Sequence, residues 1–187
     1  MLAALRRARR FAVPFASLAV LVALSVRPAR AENEAGHANL QRSPRYAIHI
    51  GHEITAGVLR RVLDGARERL SEPRCQQVLG DFRDAGGRSL RTRLEEIGQT
   101  PEDYLGFVVF YDGRKHPVCG RKGILAVTNV GSRVVWVCPE ELYTRARRNP
   151  VWAEATLIHE ALHTLGLGEN PPSSREITSQ VIRRCRH

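Results

Sequence analysis

The chain lacks several features that mark common protein classes. Its only methionine is Met1, and aromatic residues make up 6% of the 187 residues. It has no phosphate-binding glycine loop, no dinucleotide-binding glycine pattern and no GxSxG motif, so no nucleotide-dependent enzyme or serine hydrolase is indicated. The absence of a CxxC pair argues against a cysteine-rich zinc site. No internal repeat occurs, which excludes a solenoid.

Long apolar runs are also scarce, and the clearest one is Phe11–Val26. This run has 16 residues and contains Pro14, which is short for a membrane-spanning helix. Four arginines precede it, and the small residues of Ala29-Arg30-Ala31 follow it. Residues 1–31 are therefore interpreted as a secretory signal peptide, with an uncleaved N-terminal anchor as the alternative. We expect a secreted or periplasmic protein without a stable membrane span after signal removal.

Most of the net charge of +10 is carried by this segment. Residues 1–31 hold six arginines and no acidic residue, so the net charge of the remaining chain is +4. A charge this small does not predict a nucleic-acid partner.

All four cysteines lie after the predicted cleavage point. An even number of cysteines in an exported chain predicts two disulfides, for which three pairings exist. We favour a bond that ties a loop to a strand and a second one that holds the C-terminal helix, namely Cys119–Cys138 and Cys75–Cys185.

The rest of the chain divides into a polar segment, residues 32–45, and one domain, residues 46–187. Residues 32–45 are polar and lack periodicity, so we expect a flexible segment. Helical spacing of apolar residues follows, with Ser89 and Asn149 as N-caps and Pro73 and Gly98 as stops. The predicted helices cover about 52–70, 76–84, 89–97, 149–165 and 174–184, and a helical pattern also returns after Pro139.

Strand-forming residues are concentrated in the middle of the chain. Val, Ile, Phe and Trp are frequent in Tyr104–Tyr111, Ile124–Asn129 and Arg133–Cys138, and a short Val-Gly-Ser link predicts that the last two form a hairpin. The predicted fold class is α+β, with a small antiparallel sheet packed against several helices.

Residues 159–163 read His-Glu-Ala-Leu-His and fall on the predicted helix 149–165. Positions i and i+4 of a helix share one face, so His159 and His163 can bind one Zn²⁺. Glu160 is rotated by about 100° from His159, which suits it to accept a proton from water rather than to bind the metal. The pattern predicts a metal site with Glu160 as general base.

This HExxH helix resembles that of the zincin metallopeptidases. The stretch HEALHTLGLGENPPSSREIT also resembles a group of uncharacterised exported bacterial proteins. The zincin resemblance implies a zincin-like catalytic domain, one zinc ion per chain and hydrolysis of peptide bonds in a peptide or protein substrate. Zincins commonly bind substrate along an edge strand, for which Arg133–Cys138 is the candidate, with a core strand as the alternative.

The third metal ligand has two candidates. His159, Glu160, His163, Gly166 and Glu169 spell HExxHxxGxxE, in which a glycine lets the chain turn back toward the metal. The metzincin branch of the family uses this turn, more usually with His or Asp as the third ligand, and by that logic the resemblance implies Glu169. That branch also has a methionine below the metal, which this chain lacks after Met1 is removed.

The gluzincin branch implies Glu176 instead, from the helix that follows. Ser173 and Glu176 also have the spacing of a capping box, which would hold Glu176 at a helix start. A different class of function remains open, namely a disulfide-stabilised envelope protein whose zinc site is structural or vestigial. Ligation by both glutamates would close the site and favour that alternative.

Overall fold

The structure is a computed structural model, and it describes residues 46–186. The predicted signal peptide, residues 1–31, and the predicted flexible segment, residues 32–45, lie outside this range. Within it, several helices pack against a four-stranded sheet, which confirms the α+β class.

The helices are α1 Glu53–Ser71, α2 Pro73–Gln76, α3 Val78–Asp81, α4 Leu90–Glu96, α5 Tyr104–Phe107, α6 Pro139–Arg148, α7 Pro150–Thr164 and α8 Ser174–Cys185. The strands are β1 Ala47–His49, β2 Val109–Asp112, β3 Ala126–Thr128 and β4 Val134–Val137, and a 3-10 turn covers Pro117–Gly120. Over residues 46–186, none of these helices is both long enough and apolar enough to cross a membrane.

The helix starts follow the predicted capping residues. The Ser89 hydroxyl accepts a hydrogen bond from the Thr92 backbone N–H at 3.1 Å, and the Asn149 side chain accepts one from Trp152 N–H at 3.1 Å. Ser173 begins α8 with a complete capping box. These bonds satisfy backbone donors that have no partner inside the helix, which fixes where each helix begins.

The sheet is mixed, so the prediction of an antiparallel sheet was wrong. Its strand order is β1-β2-β4-β3, and only the β3–β4 hairpin is antiparallel. The pairs β1–β2 and β2–β4 are parallel. Strand β1 was not predicted at all, and a helical turn, α5, occupies the first half of the predicted strand Tyr104–Tyr111. Parallel pairing arises because long connections, including α1–α5 between β1 and β2, return the chain in the same direction.

Helix α7 lies at the centre of the fold and packs against α1, α6, α8 and β3. The apolar side chains Ile158 and Leu162 are each 1% exposed, and Leu165 at the end of the helix is 5% exposed. Burying three such side chains stabilises the fold by several kcal/mol, at about 1.5–3 kcal/mol each before entropy is counted. The histidine helix is therefore anchored by the core on one side and presents its other side to β3 and α8.

Both predicted disulfides are present. Cys75–Cys185 joins α2 to the last residue of α8, and Cys119–Cys138 joins the 3-10 turn to the residue that precedes α6. Each bond closes a loop and so restricts the unfolded chain, which in the loop-entropy model stabilises the fold by about 2–4 kcal/mol.

Candidate metal centre

The two histidines of the HExxH sequence meet on one face of α7. Nε2 of His159 lies 2.9 Å from Nε2 of His163, and the residues are only 4% and 6% exposed. The helix geometry alone accounts for this pairing, since residues four apart lie one above the other.

Gly166 brings a third side chain to the histidines. Its φ of +108° ends α7, and the backbone bonds Gly166 N–H to His163 C=O and Leu167 N–H to Leu162 C=O form a Schellman cap. After this turn, Oε1 of Glu169 lies 3.2 Å from Nε2 of His163 and 3.7 Å from Nε2 of His159. The glycine thus performs the turn that was predicted for it.

The three donor atoms have the spacing that a small metal ion needs. In a tetrahedral zinc site with bonds of about 2.0–2.1 Å, two donor atoms lie roughly 3.3–3.4 Å apart. The observed separations of 2.9, 3.2 and 3.7 Å lie around that value. Among residues 46–186, the group His159, His163 and Glu169 is the one that could hold a metal ion.

The alternative ligand, Glu176, is held elsewhere. Its Oε2 accepts hydrogen bonds from the Ser173 backbone N–H at 2.8 Å and from the Ser173 hydroxyl at 2.7 Å. These bonds lower the pKa of Glu176 by stabilising its anion. Glu176 therefore acts as the capping residue of α8 and stands apart from the histidine group.

The outer nitrogens of both imidazoles have partners. Nδ1 of His163 lies 2.7 Å from the Leu167 carbonyl oxygen, and Nδ1 of His159 lies 2.9 Å from the Thr178 hydroxyl. The Leu167 carbonyl can only accept, so Nδ1 of His163 donates to it and Nε2 keeps its lone pair for a metal. A hydroxyl can donate or accept, so Thr178 can support His159 with or without a metal.

Burial prepares the site for metal binding. Desolvation lowers the pKa of His159 to about 3, and the neighbouring His163 adds to the shift. His159 is therefore neutral at pH 7, which is the form that binds a metal.

Glu160 lies beside the three donors and is 8% exposed. Desolvation raises its pKa to about 8, the Glu169 carboxylate adds to the shift, and the Thr128 backbone N–H opposes it by stabilising the anion. A divalent cation at the three donors would favour the ionised form, because opposite charge lowers the pKa of a carboxyl group.

A cleft of about 520 Å³ opens over these residues. One wall is β3 with the segment before it, and the other wall is α7 with the start of α8. The edge strand of this cleft is β3, so the alternative of a core strand is confirmed for Arg133–Cys138. Its main part, β4, lies between β2 and β3, where Val135 and Val137 are buried in the core.

The open edge of β3 offers backbone hydrogen-bonding groups to the cleft. Cys138 N–H donates to Leu125 C=O at 2.8 Å, so Leu125 and Val127 direct their backbone groups toward β4. Because these directions alternate in an antiparallel pair, Ala126 and Thr128 direct their N–H and C=O groups away from β4. Both residues line the cleft.

Sequence reasoning missed the supporting groups Leu167, Thr178 and Thr128. The role of the Leu167 carbonyl cannot be predicted from the sequence, because every residue has a backbone carbonyl. Thr178 has a faint signal, since it lies one helical turn after Ser174 on the same face of α8, and both line the cleft. Trp152 also lines the cleft, whereas Tyr143 lies on the surface beside Arg147.

Comparisons with models of protein families, with curated proteins and with solved structures found no match to this chain. The resemblance to zincins therefore rests on the HExxHxxGxxE sequence and on the arrangement of its side chains.

Proposed function

We propose that this chain is an exported, zincin-like peptidase that uses one zinc ion held by His159, His163 and Glu169. The observation that carries the proposal is the position of Glu160 beside three convergent donor atoms, at the floor of an open cleft. Two imidazoles and one carboxylate form a ligand set typical of catalytic zinc, which leaves a coordination position for water.

Each residue of the site has its own role in the proposed reaction. A zinc ion at this site would polarise the carbonyl of a peptide bond and make water a better nucleophile. Glu160 accepts the proton of the attacking water and then passes it to the leaving amine. Leu167 and Thr178 hold the two imidazoles in orientation, and the buried surroundings strengthen the electrostatic effect of each group.

The β3 edge supports an extended peptide as the substrate. The outward N–H and C=O groups of Ala126 can pair with a substrate backbone, which adds a strand to the sheet. Thr128 lies farther along the same strand, and its N–H is directed toward Glu160. A bound peptide would therefore run along β3 and pass over the general base.

The geometry favours catalysis over a structural zinc site. Structural sites are closed by four protein ligands, whereas three donors converge here and the cleft stays open above them. Glu176 could have closed the site as a fourth protein ligand, but its carboxylate accepts a hydrogen bond from the Ser173 backbone N–H instead.

Export is part of the proposal and rests on the predicted signal peptide. All four cysteines of the chain form disulfides, and such bonds persist outside the reducing cytosol.

The decisive experiment compares residues 32–187, oxidised and loaded with zinc, with the same chain carrying Glu160→Gln. Zinc content is measured by elemental mass spectrometry, and cleavage of a peptide library by mass spectrometry. We expect about one zinc per chain in both proteins and hydrolysis by the parent only, because the substitution removes the base and no ligand. Unchanged hydrolysis by Glu160→Gln would refute the mechanism. A parent that binds zinc but cleaves nothing would favour the structural alternative.

A further inference from the structure

The cleft extends beyond the metal group toward the start of α7. Trp152, Thr156 and Glu160 follow each other at intervals of four residues, so they line one face of the helix. Trp152 precedes His159 by seven residues, which places it roughly 10 Å away along the helix axis. Val118 and Ile124 also line the cleft.

The side chains at this end leave an apolar lining. The Thr156 hydroxyl donates a hydrogen bond to the Trp152 carbonyl at 2.9 Å, so its polar group is already paired within the helix. What remains for a ligand is the indole of Trp152 and the aliphatic side chains of Val118 and Ile124. A lining of this kind favours an apolar ligand group.

Helix α6 holds both walls of this end in place. Glu141 accepts a hydrogen bond from the Gly123 backbone N–H at 2.7 Å, which fixes the segment before β3. The same carboxylate lies 3.6 Å from Nε of Arg145, whose guanidinium lies 4.7 Å from the centre of the Trp152 ring. One chain of contacts therefore joins the two walls through α6 and orders the indole before any ligand binds.

A disulfide adds a further attachment. Cys119 follows Val118 directly and is bonded to Cys138, whose backbone N–H donates to Leu125 next to Ile124. The aliphatic residues of this wall are thus held by a covalent bond and by the sheet. Surfaces fixed in this way lose little entropy on binding, which makes them effective at selecting a ligand.

We infer that Trp152, Val118 and Ile124 form an apolar subsite for an aromatic or large aliphatic side chain of a peptide. The part of the inference that concerns where the peptide is cut rests on the proposed function. The part that concerns binding of the side chain depends only on the lining of the cleft. An extended peptide advances about 3.3 Å per residue. The roughly 10 Å between Trp152 and His159 therefore corresponds to a selected residue about three positions from the bond that is cut.

The chain offers a direct reporter of this binding. Trp152 and Trp136 are its two tryptophans, and Trp136 lies on the sheet, where its ring is stacked near His116 and tilted against Tyr111. Substituting Trp136→Phe in the Glu160→Gln background leaves Trp152 as the single indole of a protein that binds without cutting. The probes are acetylated octapeptides of alanine and serine with one phenylalanine placed at each position in turn, and one peptide without phenylalanine.

Zinc-loaded Glu160→Gln/Trp136→Phe is titrated with each peptide, and the emission of Trp152 is recorded. We expect the best phenylalanine peptide to change the emission and to bind roughly tenfold or more tightly than the peptide without phenylalanine. Calorimetry on Glu160→Gln with Trp152→Ala should show this preference lost, and calorimetry with the control Trp136→Ala should show it kept. The active chain should cut the phenylalanine peptides at a constant offset from the phenylalanine.

The outcomes separate the subsite from the enzyme. Cleavage without a phenylalanine preference, or with a preference that survives Trp152→Ala, would overturn the subsite and leave the peptidase standing. Binding of phenylalanine peptides at Trp152 without cleavage by the active chain would support the subsite and refute the peptidase. No difference in binding among the peptides would overturn the subsite.

Discussion

Oε1 of Glu169 lies 3.2 Å from Nε2 of His163, because the chain reverses at Gly166 directly after the helix that carries both histidines. The glutamate side chain is 37% exposed, whereas the histidine side chain is 7% exposed. The metal group thus joins two buried imidazoles to a partly exposed carboxylate, and the turn between them decides whether the third donor reaches the site.

Replacing Glu169 and Glu176 one at a time should show which glutamate binds the metal and which one caps α8. Glu169→Ala should weaken zinc binding by more than the roughly 10–100-fold expected for an outer-sphere partner, since it removes a donor atom. Glu176→Ala should leave zinc affinity unchanged and lower the free energy of unfolding through loss of the capping box. Chelator competition measures the first effect and urea denaturation the second. Equal zinc affinities in the two variants would contradict the assignment of Glu169.

The role of the turn at Gly166 can be tested by substituting Gly166 and, as a control, Gly168. Gly166→Ala places a side chain at φ +108°, with its Cβ 3.3 Å from Cβ of Asp84, whereas a Cβ at Gly168 meets nothing within 4 Å. Strain of this kind costs about 1–3 kcal/mol. We expect Gly166→Ala to lower both stability and zinc affinity and Gly168→Ala to change neither by much, as measured by thermal unfolding and chelator competition. The idea fails if both alanine variants bind zinc like the parent.

The Thr178 hydroxyl should matter for zinc affinity although it touches no metal. Thr178→Val keeps the shape of the side chain but removes the partner of Nδ1 of His159. We expect zinc binding to weaken by roughly 10–100-fold, because the imidazole loses its orientation and its fixed tautomer. Thr178→Ser keeps the hydroxyl and should restore most of the affinity. Equal affinities of the valine and serine variants would rule out this role.

The features that were predicted correctly depend on residues close together in the chain. His159 and His163 meet because they are four residues apart on one helix. The caps at Ser89, Asn149 and Ser173 depend on contacts within three residues. Interactions of this range are fixed by local geometry, so the spacing of residues is sufficient to predict them.

The features that were missed depend on contacts across the fold. Strand β1 has three residues and is stabilised by pairing with β2, about sixty positions later in the chain. Thr178 reaches His159 only because α8 packs against α7. The choice between an edge strand and a core strand for β4 stayed open for the same reason, because its pairing with β2 is not encoded by the local alternation of residues.

The packing of α8 against α3 gives a prediction about pH. Asp81 accepts two hydrogen bonds from the Arg184 guanidinium, at 2.8 and 2.9 Å, and a further one from Gln180. The hydrogen bonding from Arg184 holds the pKa of Asp81 below its ordinary value, and Gln180 adds to the effect. Both charged side chains are partly exposed, so solvent weakens the pair and we expect its contribution to stability to be small.

The sign of the pH effect follows from the lowered pKa. An aspartate in the unfolded chain has a pKa of ~3.9, and the folded protein binds this proton only at lower pH. The stabilisation is therefore fully present above ~3.9 and is lost as the pH falls through the lower pKa of the folded state. Asp81→Asn should be less stable than the parent at pH 7, and the difference should shrink at pH 2–3. Urea denaturation in the presence of a chelator measures this without a contribution from bound metal.

A double-mutant cycle assigns the effect to the pair. Asp81→Asn and Arg184→Met should each lower stability at pH 7, and the double variant should lose less than the two single losses combined, because both remove the same interaction. The coupling should fall as the pH drops below ~3.9 and through the lower pKa of folded Asp81, since a protonated Asp81 no longer attracts the guanidinium by charge. A coupling that stays constant between pH 7 and pH 2 would show that packing, and not charge, holds the end of α8 against α3.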